Sequence, residues 1–570
     1  MHGRPLHTCS LFGSLFGALL AFGCGGADEP GGSNSESPGA PAVTTPWLVD
    51  RTRELGLPTD DPAWADGTYQ LREMMGPGVG LCDLDGDGRL DILEPRCPPP
   101  DRWSEDWPNR AWRQKSDGTF EDATEATGLG DPGQGLAVAC GDVDGDGASE
   151  VYFANFGRDA FYRNDGHGRF TEAGADARLE SEAWTCSTAF LDHDRDGFLD
   201  LFLVNYVVHD EERECHGKST APEYCGPLEY EAAADALYRN DGNGHFEDVS
   251  RSSGIARPAA GLGLVCLDFN SDGWVDVYVA NDAMANHLWI NQQGGSFEDE
   301  AHVRGAGVNR HGKPEASMGV TAGDFDDDGS LDLFMTHLDG ENNTLYVGLQ
   351  AASWRDRSVQ TKLSNFDRPF TGFGCGFADF DQDGWLDLAV VNGRVRRGPV
   401  HATAALSVFW NDYAEPNLLF RNRGDGSFDD FSGRAGAYGR RPDVGRGLAL
   451  GDIDGDGDVD IVTSAYAGTL RVHINEAAAG HWLRVRARTG ARAALGALVQ
   501  LDTGDRTRLR ACVSGFSYGS ASEPVAHFGL GDARAYRSVL VRWPDGQSER
   551  FAGGDADREV VLVQGEGETP

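Results

Sequence analysis

From residue 79 to residue 475 short apolar stretches recur, alternating with polar positions and ended by Asp-Gly or Gly-x-Gly turns. The stretch "GLAVACGD" (135–142) leads into an acidic loop, "EVYFAN" (150–155) follows it, and "FYRNDGHGRF" (161–170) carries an aromatic-Arg-Asn pattern, a glycine turn and a phenylalanine. The last pattern returns as "LYRNDGNGHF" (237–246) and "LFRNRGDGSF" (419–428). A period of two broken by such turns predicts β-hairpins. Four short strands per unit, in seven successive units, predict an all-β chain folded as a seven-bladed β-propeller.

The loop joining the first two strands of every unit is acidic in a fixed register. Its ligand-type positions are Asp83, Asp85, Asp87 and Asp91; Asp142, Asp144, Asp146 and Glu150; Asp192, Asp194, Asp196 and Asp200; Asp268, Asn270, Asp272 and Asp276. The series continues with Asp324, Asp326, Asp328 and Asp332; Asp379, Asp381, Asp383 and Asp387; and Asp452, Asp454, Asp456 and Asp460. Four carboxylates within nine residues repel one another unless a cation lies among them. Calcium takes six to eight oxygen ligands, and an Asp-x-Asp-x-Asp-Gly turn supplies most of them from one loop. About seven calcium sites are therefore expected, the fourth weakened by Asn270.

A ring must join its ends. The segment "WLVDRTRELGL" (47–57) repeats the spacing of Asp122, Thr124 and Gly128 with Asp50, Thr52 and Gly56, yet precedes the first acidic loop. "GTLRVHIN" (468–475) lacks a following outer strand. The early segment is thus expected to complete the last blade and remove an exposed edge. Beyond it, "WLRVRA", "GALVQL" and "SVLVRWPDG" alternate as strands do, predicting a small β-sandwich or barrel over 477–570.

A length of 570 residues exceeds one ordinary core, in keeping with a repeat array. The formal charge of -42 excludes nucleic acid as a partner, because phosphate would be repelled. Residues 480–563 hold twelve Arg against nine Asp plus Glu, so the blades' field favours docking of this part. At the start, Arg4 and the apolar run Leu11–Phe22 have the form of an export signal. "LLAFGCGG" resembles a bacterial lipoprotein cleavage site, with Ala21 where such sites carry leucine and Leu20 one place early, which makes Cys24 the expected lipidation site, the alternatives being ordinary cleavage or a buried cysteine. Residues 25–46, rich in Gly, Ser and Pro, read as a flexible linker between the signal (1–24) and the propeller (47–476). The expected location is the bacterial outer membrane or cell surface through a lipid anchor, or alternatively the periplasm or medium. Export allows disulfides. Cys215 and Cys225, in an inserted loop, are expected to pair, whereas Cys140, Cys186, Cys266 and Cys375 read as core residues.

The acidic blades resemble FG-GAP/VCBS repeats, the type found in the integrin α propeller. "ALGALVQLDTG", "SGFSYGSASEPVAHFGLG" and "VRWPDG" resemble the ASPIC/UnbV domain that follows such propellers in the cartilage acidic protein family. Over roughly residues 47–563 this resemblance implies an extracellular calcium-binding propeller.

Five residues past the seven loops come Arg96, Asn155, Asn205, Asn281, His337, Asn392 and Ala465, of which the four asparagines and His337 are expected to form a polar ring near the channel mouth on the face opposite the loops. That face also carries the long loops 206–236 and 393–416. The functional expectation is an exported adhesion or ligand-binding module for a protein or glycan, with structural calcium. The alternative is a metal-dependent enzyme using His209, His216, His302, His311, His337 and His401 on that face. "GFSYG" (515–519) fits the G-x-S-x-G pattern, but His527 precedes Asp532 and Pro524 intervenes, contrary to a nucleophile elbow.

Overall fold

A computed structural model describes residues 46–59, 64–104, 106–217, 220–349, 352–468, 470–477 and 480–570. The leader, Cys24 and nearly all of the linker lie outside the described residues. Seven four-stranded antiparallel units follow one another along the chain. Blade 2 is typical, with strands Gln134–Gly141, Glu150–Phe156, Ala160–Asn164 and Phe170–Glu172 in sequence order. Blade 7 has Gly445–Gly451, Asp460–Ala465 and Arg471–Asn475, and takes its fourth strand, Leu48–Asp50, from the start of the propeller. Leu48 faces Asn475 and Asp50 faces His473 in that pairing.

The Asp-x-Thr/Ser spacing has a local cause. Asp50 accepts the Thr52 amide and hydroxyl, and the Thr52 hydroxyl accepts the Val472 amide. Ser250 and Ser358 accept the Leu237 and Leu345 amides in the same way, so one hydroxyl pins each of these outer strands to its third strand, whereas blades 2 and 4 carry Gly174 and Ala301 at this place.

Apolar residues from adjacent blades fill each junction. Ile92 and Val472 share one cluster, Leu93 and Val138 the next, and Leu448 packs with Val391 at the junction of blades 6 and 7. This continuity closes the ring. Each alternating side chain removes roughly 1.5–3 kcal/mol of apolar exposure when fully buried.

The last part forms two sheets. One contains His481–Thr489, Ala526–Gly531 and Arg558–Val563, the other Ala497–Asp502, Thr507–Cys512, Ala535–Arg542 and Ser548–Asp555. Val485, Val499, Phe528 and Val541 pack between them, so the expected sandwich forms. The sandwich is not a separate appendage. Its hairpin, Gly515–Phe516 with Ser520–Ala521, leaves it and joins the sheet of blade 1.

Candidate functional site: the acidic loops and the plugged channel

Each loop is shaped by its own carboxylates. Asp142 accepts the amides of Gly145 and Asp146 on one oxygen and of Gly147 on the other. Asp146 accepts the Ala148 amide. Glu150, the closing carboxylate, accepts the Val143 amide on one oxygen and the Asn164 amide on the other. The same closing pattern recurs at Asp91, Asp200, Asp276, Asp332, Asp387 and Asp460.

The second ligand position divides the loops, since Asp144, Asp194, Asn270 and Asp454 accept the amide two residues on. Buried oxygens of Asp85, Asp326 and Asp381 have no hydrogen-bond partner, and neither does one oxygen of Asp192. Ligand atoms of Asp83, Asp85 and Asp91 lie within 4.8 Å of one another, as do those of Asp142, Asp144 and Asp146, of Asp192, Asp194 and Asp196, and of Asp324, Asp326 and Asp332. Converging oxygens, some orphaned, are the donor set a hard cation requires. Burial pushes Asp91 up to about 7, Glu150 to about 8 and Asp379 to about 8, so bare ionised carboxylates are costly there.

Neighbouring loops are tied together by a residue whose role the sequence did not disclose. Asn164 donates to the carbonyls of Leu84 in the preceding loop and Ser149 in its own. Asn240 bridges Val143 and Leu199, Asn291 bridges His193 and Val275, and Asn422 bridges Phe325 and Leu386. Asn475 reaches Phe380, and Gln114 reaches Ile453 across the closing junction. Blade 5 carries Gly348 at this place, and the Trp354 indole donates to Leu331 instead. The recurring Arg-Asn pair was visible, but only the closed ring reveals that its amide crosses between blades.

The C-terminal sandwich meets this face with arginines. Arg484 pairs with Asp452 and Glu523, Arg506 with Asp327, and Arg542 donates to Ser271. A cleft of about 960 Å3 remains between the sandwich and the loops of blades 1, 2 and 7.

The hairpin enters the central channel from this side. Ser517 exchanges backbone hydrogen bonds with Val320 of blade 5 at 2.7 and 3.1 Å, and its hydroxyl accepts the Cys375 amide of blade 6. Gly519 accepts the Val138 amide of blade 2 and donates to the Ser187 hydroxyl of blade 3. Glu523 and Ser522 hold Leu450 of blade 7, and Ala521 donates to Val79 beside blade 1. At Gly263 of blade 4 a Cβ would stand 2.3 Å from the Met318 carbonyl and 2.9 Å from that of Ser517, so glycine is needed there. Ser517 is buried at φ 76°, left-handed backbone that a side chain rarely adopts. The serine of the G-x-S-x-G pattern is thus the turn of a plug.

Tyr518 completes the filling. Its hydroxyl donates to the Met75 carbonyl at 2.7 Å, in the segment that covers the other mouth. There Leu71, Met74, Tyr224, Trp410, Tyr413 and Tyr466 form one buried cluster. Glu73 accepts the Tyr224 hydroxyl at 2.6 Å and the Thr68 amide, and burial raises its pKa.

The expected polar ring is corrected by this packing. Asn155, Asn205, Asn281, His337 and Asn392 are all buried, not presented at a mouth. The amides of Asn205, Asn281 and Asn392 donate to Ala234, Ala285 and Pro416, and Asn155 to Arg158 and Asp131. His337 lies between Ser317 and the Asn342 carbonyl. The amide nitrogens thus cap strand ends, while the buried Oδ1 atoms of Asn155, Asn281 and Asn392 have no hydrogen-bond partner. The other histidines have separate settings: His209 packs against Phe156, Trp184 and Tyr230, His311 accepts from Arg310, and His401 meets Thr403. His216 pairs in the short ladder beside the Cys215–Cys225 disulfide, and His302 lies in the turn of helix Ala301–Arg304.

An FG-GAP-like repeat model matches residues 83–153, 142–203, 229–279, 268–335 and 324–390, and an ASPIC and UnbV model matches 487–569. Cartilage acidic protein 1 of Mus musculus is 28% identical over 500 residues, covering 82% of this chain and 70% of that protein. The Homo sapiens protein is 27% identical over 520 residues, covering 85% and 72%. The chain is an FG-GAP-repeat protein homologous to cartilage acidic protein 1. The Xenopus tropicalis cartilage acidic protein 1 matches at 28% over 454 residues, with 76% of this chain and 64% of that protein covered. Among solved structures, the BP39L lectin from Burkholderia pseudomallei aligns with TM-score 0.41 and 12% identity, covering 71% of this chain and 97% of the lectin. YCF48 bound to D1 peptide aligns with TM-score 0.38 and 9% identity, covering 77% and 100%. Within the cartilage acidic protein 1 homology, the two family models fall on the blades and on the sandwich that plugs them.

Proposed function

We propose that this chain is an exported, calcium-loaded propeller that acts as a binding module for an extracellular protein or glycan. The observation that carries the calcium reading is the set of converging loop carboxylates with buried oxygens left unpartnered. Asp142, Asp144 and Asp146 with the Ala148 carbonyl and Glu150 would hold one ion, and the equivalent residues of the other six blades would hold theirs. Calcium would neutralise the crowded charge and fix the loops on which the C-terminal arginines rest.

The channel is filled by the hairpin, so the reading directs a partner to outer surfaces. The face opposite the calcium loops offers Arg72 stacked 3.2 Å over Trp103 and Arg96 4.2 Å over Trp107, aromatic-cation pairs suited to sugar rings or peptide side chains. Binding of the calcium-loaded protein to glycan and peptide arrays tests this. Binding lost in a Trp103→Ala, Trp107→Ala variant of unchanged melting temperature supports the assignment; a partner retained by that variant contradicts it.

A further inference from the structure

We propose that Cys82 and Cys140 form a disulfide that staples blade 1 to blade 2. The inference starts from the register of the ring and does not depend on the calcium reading. Around the propeller, the residue just before a loop's first aspartate faces the residue two before it in the next blade. Gly141 stands against Phe190 in this way, with 2.9 Å between a built Cβ and the ring, and Gly451 stands against Leu81 at 3.1 Å. Leu191 and Cys266 share the corresponding cluster between blades 3 and 4.

At the junction of blades 1 and 2 this rule brings together two cysteines. Cys82 ends its strand opposite Asp91, and Cys140 lies opposite Val151. Both thiols pack in one cluster of buried residues. They are 7% and 8% exposed, and both line the cleft beneath the C-terminal sandwich, which gives a small reagent access. Cys186 and Cys375, by contrast, are fully buried, the first in the central cluster with Tyr518 and the second between blades 5 and 6.

The chemistry is thiol–disulfide exchange. Two S–H bonds break and one S–S bond forms. The two protons and two electrons pass to a low-molecular-weight disulfide such as oxidised glutathione, which leaves as two thiols. Because Cys82 precedes Asp83 and Cys140 lies two before Asp142, the bond would join the starts of two acidic loops and set the floor of the cleft.

The full chain equilibrated with oxidised glutathione, then denatured with an alkylating agent and digested, provides the test by mass spectrometry. A linked peptide pair containing Cys82 and Cys140 is expected beside the Cys215–Cys225 link, and dithiothreitol treatment should return both cysteines to the alkylated pool. Cys82→Ser should leave Cys140 alkylated, but the wild-type map alone decides the matter if that variant misfolds. Recovery of both cysteines in alkylated form while Cys215–Cys225 stays linked would overturn the proposal, as would a link from either to a different cysteine.

Discussion

On the acidic face the same nine positions are filled seven times with nearly the same residues, whereas the opposite face is made of segments that occur once, among them 64–79, 95–109, 206–236 and 393–416. The repeated loops close on their own backbone amides, and strand-end asparagines such as Asn240 tie one loop to that of the preceding blade. The single-copy segments pack aromatic rings over the far mouth and hold the Cys215–Cys225 disulfide. Repetition therefore marks the frame, while the recognition proposed above falls on what is not repeated.

The strongest way to break this comparison is to remove the cations proposed for the frame. Seven sites, each at ten times its dissociation constant, would together contribute about 10 kcal/mol. For a chain of this size that corresponds to a fall of about 10 °C in melting temperature on chelation. Differential scanning calorimetry with and without EDTA measures it, and calcium, not magnesium, should restore the loss.

A smaller effect tests the plug. Gly263→Ala places a Cβ against two carbonyl oxygens belonging to backbone that cannot easily move, and should cost about 1–3 kcal/mol. Denaturant unfolding will report it. An unperturbed Gly263→Ala would mean that neither the Met318 carbonyl nor the hairpin's Ser517 carbonyl approaches blade 4 as described.

The bridges between loops should give a similar figure at single residues. Asn240→Ala leaves the carbonyls of Val143 and Leu199 without that donor, at a cost of about 1–3 kcal/mol. Blade 5 supplies the internal control, because Gly348 has no amide to lose.

Protons should reveal the same frame more gently. In the metal-free protein Asp91, Glu150 and Asp379 have folded pKa values near 7 to 8, above the ordinary 3.8 to 4.5, because burial disfavours their ionised forms. The folded state thus binds more protons than the unfolded state between about pH 4 and pH 8. Stability from these groups is fully present below the ordinary values and is lost as pH rises through 7 to 8. Melting of the chelated protein should fall from pH 5 to pH 8, and added calcium should raise it more at pH 8. The opposite trend would show that these carboxylates are ionised without a cation.

Much of the frame could be read from residues alone. A period of two, Asp-Gly turns and a fixed acidic register announced the blades, and Asp50, Thr52 and Gly56 disclosed how the ring closes because they repeat the spacing of Asp122, Thr124 and Gly128. The pairing of Cys215 with Cys225 was legible because they flank a short insertion. The plug was not, since 514–523 occurs once and its partners, Val138, Val320 and Leu450, are distant in sequence. Nor could the strand-end asparagines be aimed: Asn205 and Asn392 serve as caps by donating to carbonyls contributed by long loops. Cys82 and Cys140 likewise look like two separate core residues until the ring sets them side by side.

The central claim, that the repeated face is a calcium frame, is tested most directly by the calcium-to-protein ratio, measured by inductively coupled plasma mass spectrometry on protein purified without chelators. About seven calcium ions per chain, lost together with thermal stability in EDTA, is the predicted result. Protein that carries no calcium and melts at the same temperature with and without EDTA would contradict it.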